Sequence, residues 1–183
     1  MLLLLEILAV ILLLDFVTGF FHWLEDAYGD ENTPLIGKYI IAPNIKHHRL
    51  PRAFITNSYL LNARDLMAAG AVILLGAWAL DLLTWHVWLF VLLGVNANQF
   101  HKWAHRSRKE NGPIINALHR YRILQDAKHH GGHHRGRHNT HLCVITCVLN
   151  PVLDRIRFWD GLSWIVGKVT GLKPREDHKG LHA

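Results

Sequence analysis

The chain has 183 residues, half of them hydrophobic, with a net charge of +6 and a pI near 9.6. That length suits one domain and leaves little room for a second, so 1–183 is expected to form a single membrane domain. The basic residues lie beside long apolar runs instead of forming a separate basic module, which argues against nucleic acid as a partner and for anionic lipid.

Residues 1–24 are almost wholly apolar, with Glu6 and Asp15 the exceptions, and have neither a basic leading region nor a small-residue cleavage site. They are expected to remain as a first membrane helix and not to be removed as a signal peptide. Glu6 belongs near the far interface, and Asp15 is expected to face the bundle interior, with no partner evident. His22 and Asp26 are four apart, so a ligand and an orienting carboxylate share one face at the helix end. By itself His22 reads as an interface residue beside Trp23.

The stretch 25–64 is polar and punctuated by Gly29, Pro34, Gly37, Pro43 and Pro51, which predicts an extramembrane loop. It carries His47 and His48. Adjacent helical residues point about 100° apart, so both reach metal only if there are two ions or a bent backbone. Their neighbours Arg49 and Arg52 suit phosphate or lipid headgroups.

Residues 66–95 are apolar except for Asp81, Thr84 and His86. As one helix they would run about 45 Å against a hydrocarbon core of about 30 Å, so a hairpin over 65–105 with a tight reversal near Asp81 to His86 fits better. Its second arm continues to Asn98, His101 and His105, which share one face. A zinc-protease motif is excluded there, because Lys102 occupies the position of its glutamate.

The remainder, 106–183, is expected to be a cytoplasmic and interfacial histidine-rich region. A short amphipathic stretch, Ile114 to Leu124, carries His119 at the surface. Six of the fifteen histidines then fall within 128–141, and His130, His133 and His134 form an H-x-x-H-H array with His129 and His138 in reserve. If helical, the array puts His130 and His134 on one face with His133 beside them. Imidazole suits iron, zinc, copper and nickel alike, so ligand type alone does not name the metal. Cys143 and Cys147 form neither a disulfide framework nor a C-x-x-C motif and are expected to pack in the interior. Residues 142–149 are apolar but too short to span. Val152 to Leu172 has apolar residues near helical spacing, which predicts one in-plane interfacial helix, and the tail with His178 and His182 is expected to be inert.

Ligands of a common site must lie on one side of the bilayer. Three spans achieve this for His22, His47, His48, His101, His105, His130, His133 and His134, and leave His86 on the opposite side. Lys38, Lys46, Arg49, Arg52, Arg64, Lys102, Arg106, Arg108, Lys109 and the array's arginines, Arg135 and Arg137, fall on the histidine side, which is therefore expected to face the cytoplasm. Eight histidines exceed the four ligands of a structural zinc and suit two ions that each keep an open position, read here as a di-iron centre. The expected fold is an all-α integral membrane protein with about three transmembrane helices, amphipathic interfacial helices and a metal site at the cytoplasmic face.

The chain resembles the lipid desaturase family that includes plasmanylethanolamine desaturase, its bacterial relatives and the plant plastid desaturases acting on phosphatidylglycerol acyl chains. The resemblance runs from about Gly19 to Asp177. It rests on Gly19, His22, Trp23 and Asp26; Pro34 and Gly37; His47-His48; Asn98, His101 and His105; His130, His133 and His134; His138 with Cys143; Leu149-Asn150; and Phe158-Trp159 followed by Gly171 to Arg175. It implies that the eight histidines and Asp26 are residues the family needs, which raises His22 above an interface residue. Departures at Arg137, Cys147-Val148 and Leu118-His119 touch no expected ligand.

The resemblance further implies O₂ as co-substrate and an external electron donor of cytochrome b5 or ferredoxin type, since the chain has no haem, flavin or iron–sulfur motif. The expectation is a multi-pass lipid desaturase, in the inner membrane of a bacterium or the endoplasmic reticulum of a eukaryote. It would introduce a double bond into a phospholipid alkyl or acyl chain, with plasmanyl-to-plasmenyl (vinyl ether) conversion the specific form and Asp26 and Asn98 in catalytic roles. A hydroxylase on the same two irons is the alternative within the class. A histidine-rich metal transporter or storage protein is the alternative outside it, opposed by the lack of ionisable residues at 7–14 and 67–79.

Overall fold

The computed structural model describes residues 1–135 and 138–175, so Arg137, His178 and His182 fall outside the described residues. The leading apolar run winds into α1 (Leu2–Tyr28). It passes the expected end at residue 24 because nothing before Gly29 breaks a helix. The polar stretch that follows is more ordered than a loop. It contains a π-helical turn (Gly37–Ile41), α2 (Ala42–Arg49) and a 3-10 turn (Ala53–Thr56). Pro43 lies in the first turn of α2, where its missing N–H costs nothing, so it starts a helix instead of breaking one.

Next comes α3 (Tyr59–Ala79), capped by Ser58, whose side chain accepts from the Leu61 N–H at 3.2 Å. The chain reverses over 80–84 where a hairpin was expected. Asp81 makes the turn at φ 55°, a left-handed conformation that aspartate adopts more readily than most residues, so no glycine is needed. The returning arm is not one helix. It is α4 (Trp85–Val95) followed by α5 (Ala97–His105). The break falls at Asn96, whose amide donates to the Leu92 carbonyl at 2.8 Å and competes with the backbone ladder. Gly70 lets α3 and α4 approach closely, since a Cβ there would lie 2.9 Å from Val91 Cγ1.

Short helices complete the chain: α6 (Pro113–Arg120), α7 (Ala127–His130), α8 (Asn150–Arg155) and α9 (Phe158–Thr170). The single interfacial helix expected over 152–172 is thus two, divided at Arg157, which takes a left-handed φ of 53°. Among the described residues there is no strand.

Two helices, α1 and α3, are long and apolar enough to cross a membrane. Only 22% and 17% of their most apolar stretches are buried by protein. A core helix of a soluble protein would be mostly covered, whereas these helices expose long apolar faces of the kind that suit lipid. Alone, α4 is about 16 Å long and falls short of a crossing.

The interior is organised around an irregular extended segment, residues 142–146, which follows a left-handed turn at His141 (φ 56°) and is laid along the second half of α1. Leu142 and Cys143 pack with Trp23, Ala27, Leu153 and Trp159. Val144 and Ile145 pack with Leu14 and Leu124. Cys143 is fully buried as expected, whereas Cys147 is only half-buried.

Candidate metal centre

The polar ends of α1, α2, α5 and α7 converge and sort the histidines into two adjoining groups. His47, His101, His105, His130 and His134 form the first; His22, Asp26, His48 and His133 form the second. Within each group one potential donor atom per residue lies within 4.8 Å of all the others. The groups are neighbours, with His48 and His134 rings 5.1 Å apart and His22 and His101 rings 5.8 Å apart.

Local geometry explains the sorting. On α5, His101 and His105 are one turn apart, and their Nε2 atoms lie 3.1 Å from each other. On α2, His47 and His48 point to different groups, as adjacent helical residues must. The array is helical only to His130; beyond it Gly131 and Gly132 carry a tight turn closed by the His133 N–H on the His130 carbonyl at 2.9 Å. That curl sends His133 to the second group while His130 and His134 stay with the first.

The nitrogens of the first group are crowded. His101 and His130 Nε2 are 2.7 Å apart, and His134 and His130 Nε2 are 3.1 Å apart. Imidazoles bound to one ion at about 2.1 Å are roughly 3 Å from each other, so this spacing is that of a ligand set. Burial, reinforced by the neighbouring imidazoles, holds His47, His130 and His134 well below the usual histidine range. The rings are therefore neutral, the form that binds metal.

The second group can be tested atom by atom. His22 Nδ1 lies 3.1 Å from the Leu142 carbonyl and His133 Nδ1 lies 2.9 Å from the Thr140 carbonyl. A carbonyl only accepts, so both rings carry their proton on Nδ1 and present a bare Nε2. Those Nε2 atoms lie 3.6 and 3.3 Å from Asp26 Oδ2. All three atoms are buried without a hydrogen-bond partner. Burial and His22 bring His133 down to about 3, so a proton does not fill the gap between them. Two lone pairs and a carboxylate oxygen facing one another in a dry site call for a cation, and the residues present fit one.

Both oxygens of Asp26 are engaged, Oδ2 facing His22 and His133. His48 Nε2 is 2.9 Å from its Oδ1, and Asn44 donates to the same oxygen at 2.6 Å. Asn44 went unnoticed in the sequence, although its place four residues before His48 puts both on one face of α2. Other expected residues lie elsewhere. Asn98 donates through its side-chain amide to the Asn62 carbonyl of α3 at 2.8 Å. His129 meets Asn150 at 3.1 Å, outside both groups. His138 borders the second group, its ring 4.4 Å from that of His48. His86 lies at the opposite end, 3.1 Å from Glu6. His119 is half-buried, and its Nε2 is enclosed without a partner, so it is less exposed than expected.

A family model described as "Lipid desaturase domain" matches residues 11–177. Similar proteins include plasmanylethanolamine desaturase 1 of Mus musculus, 31% identical over 189 residues, which cover 96% of this chain and 69% of that one. Fatty acid desaturase 4, chloroplastic, of Arabidopsis thaliana is 31% identical over 170 residues, covering 90% and 51%. Plasmanylethanolamine desaturase of Myxococcus xanthus is 29% identical over 179 residues, covering 92% and 62%. The chain therefore spans between half and about two thirds of the length of these relatives. No solved structure matches.

Proposed function

This chain belongs to the lipid desaturase family, and on that premise we propose that it introduces a double bond into an alkyl or acyl chain of a membrane phospholipid at a pair of iron ions. The observation that carries the reading is the division of eight histidines and Asp26 into two adjoining donor groups. Five histidines would hold one ion, and His22, Asp26, His48 and His133 the other. Iron held there supplies the O₂ activation and one-electron chemistry needed to break an unactivated C–H bond.

The balance of the reaction accounts for the partners. Reducing O₂ to two waters takes four electrons and four protons; converting CH₂–CH₂ to CH=CH yields two of each. The other two electrons and two protons come from outside, the electrons through a cytochrome b5 or ferredoxin type of donor. The chain's own task is to hold neutral ligands in a water-poor cluster and to bring the lipid to it.

A third crossing by α4 and α5 together returns the chain to the side on which α1 ends, which places all nine residues on one face of the bilayer. The basic residues around them suit the cytoplasmic face. Beside the centre, Arg106, Arg108, Arg120 and Lys128 border a cavity of about 800 Å³. Arg106 directly follows His105, and Lys128 lies two residues before His130, so a lipid phosphate held there would keep its chain next to the metals. Similarity to enzymes named plasmanylethanolamine desaturase favours an ether phospholipid and vinyl ether product, and similarity to those named fatty acid desaturase an acyl chain.

The test is elemental analysis of the detergent-purified protein beside a His101→Ala/His134→Ala variant, with product lipids analysed after incubation with O₂ and a reductant. About two irons per chain, falling to about one in the variant together with loss of the unsaturated product, is the expected result. One tightly held zinc that survives both substitutions would refute the reading.

A further inference from the structure

Asp15 is fully buried in the middle of α1, an apolar helix, and makes no ion pair among the described residues. A carboxylate there is costly unless it is fully hydrogen-bonded. Its partners all come from the extended segment: the Ile145 N–H at 2.9 Å, the Thr146 N–H at 3.2 Å and the Thr146 hydroxyl at 2.5 Å.

Along the same side of α1 the contacts continue in register. The Thr18 hydroxyl donates to the Asp15 backbone carbonyl at 2.7 Å and accepts from the Val144 N–H at 3.4 Å. Gly19 makes room for Cys143, since a Cβ at 19 would lie 2.7 Å from its Sγ. His22 then donates from Nδ1 to the Leu142 carbonyl. On the other flank Asn150 takes both backbone groups of Cys143, accepting its N–H at 2.9 Å and donating to its carbonyl at 2.8 Å. Two residues upstream of Leu142, beyond a left-handed turn at His141 (φ 56°) whose N–H is held by Asp154 at 3.2 Å, the Thr140 carbonyl receives Nδ1–H of His133.

We propose that Asp15 is a positioning residue for the metal centre: by pinning 144–146 to α1 it sets the Leu142 and Thr140 carbonyls that hold His22 and His133 as Nδ1–H tautomers, with both Nε2 atoms aimed at Asp26. This rests on the desaturase reading in that those Nε2 atoms then serve a metal ion, and outer hydrogen bonds of this kind fix the tautomer and orientation of metal-binding imidazoles. Asparagine does not replace the aspartate. Its NH₂ would face N–H donors that a carboxylate accepts on every side.

The experiment uses the full-length, metal-free protein in detergent with isotope-labelled histidine nitrogens, His22 and His133 being assigned through His22→Gln and His133→Gln. In the wild type both rings are expected as pure Nδ1–H tautomers. Asp15→Ala should turn both into tautomer mixtures, while Val91→Ala, which opens a cavity between α3 and α4 away from this segment, lowers stability and leaves the tautomers unchanged. Asp15→Ala should also weaken metal binding about 10–100-fold in competition with a chelator, and Asp15→Asn should resemble it. If Asp15→Ala does not fold, Thr146→Val removes one donor, keeps the carboxylate and should shift the same two rings partially.

Unchanged tautomers in the Asp15 or Thr146 variants, or a wild type in which either ring is protonated on Nε2, would overturn the proposal. A wild type with the expected tautomers that binds no iron would count against the desaturase reading and leave the positioning role standing.

Discussion

His47 and His48 are adjacent in the chain and serve different groups: the His47 ring lies 4.7 Å from those of both His101 and His134, whereas His48 Nε2 lies 2.9 Å from Asp26 Oδ1. One turn of α2 therefore joins the two halves of the centre, as the roughly 100° between successive helical residues requires. His47→Ala and His48→Ala should each lower bound iron from about two to about one per chain, and each should reduce turnover at least about a hundredfold. Metal analysis and product formation on the two variants would check this; loss of both ions in either one would instead indicate a single coupled site.

Acid should destabilise the metal-free protein. The unfolded chain takes up protons on its imidazoles below about pH 6.5, whereas burial keeps His133 neutral in the fold down to about 3. The unfolded state thus binds more protons between these limits. The stability contribution is complete above about pH 6.5 and declines as the pH falls toward 3. Thermal melts at constant ionic strength should show a plateau above neutrality and a falling midpoint below about pH 6.5.

A methyl group at Gly19 should loosen the extended segment. The added Cβ would lie 2.7 Å from Cys143 Sγ, 3.1 Å from its backbone nitrogen and 3.2 Å from Trp159 Cζ2. Gly19→Ala should destabilise the protein by about 1–3 kcal/mol. Adding Cys143→Ala removes the sulfur but not the backbone contact, so it should restore part of the loss in a denaturation comparison.

The basic cavity should affect substrate binding and not chemistry. Replacing Arg106 and Lys128 by glutamine leaves every proposed metal ligand in place while removing two cations from its border. Steady-state kinetics on a phospholipid substrate should show KM raised about tenfold, with kcat and iron content unchanged. An equal fall in kcat would move these residues into the reacting site.

His86 provides a control far from the centre. It lies 3.1 Å from Glu6, with both side chains 41–46% exposed by the protein. His86→Ala should leave iron content and turnover unchanged and alter stability by less than about 1 kcal/mol.

Much of this was legible in the chain before it was folded. Apolar run lengths place α1 and the hairpin, and the four-residue spacings of His22 with Asp26 and of His101 with His105 follow from helix periodicity alone. So does the divergence of His47 from His48. These are local relations, set by the backbone geometry of single helices.

Other features depended on contacts between distant parts of the chain. The proton on His22 is placed by a carbonyl 120 residues away, and Asp15 finds its donors 130 and 131 residues on. No periodicity encodes such pairs. The departure of His133 from His130 and His134 required the turn at Gly131 and Gly132, and the approach of His22, His48 and His133 to one carboxylate required two helices and that turn to meet around Asp26. Asn98 shares the helical face of His101, yet the packing of α5 on α3 claims its amide for the Asn62 carbonyl. Helix faces are properties of the local sequence; which atoms share a dry pocket is decided only when the faces pack, because burial removes the water that would otherwise satisfy each of them separately.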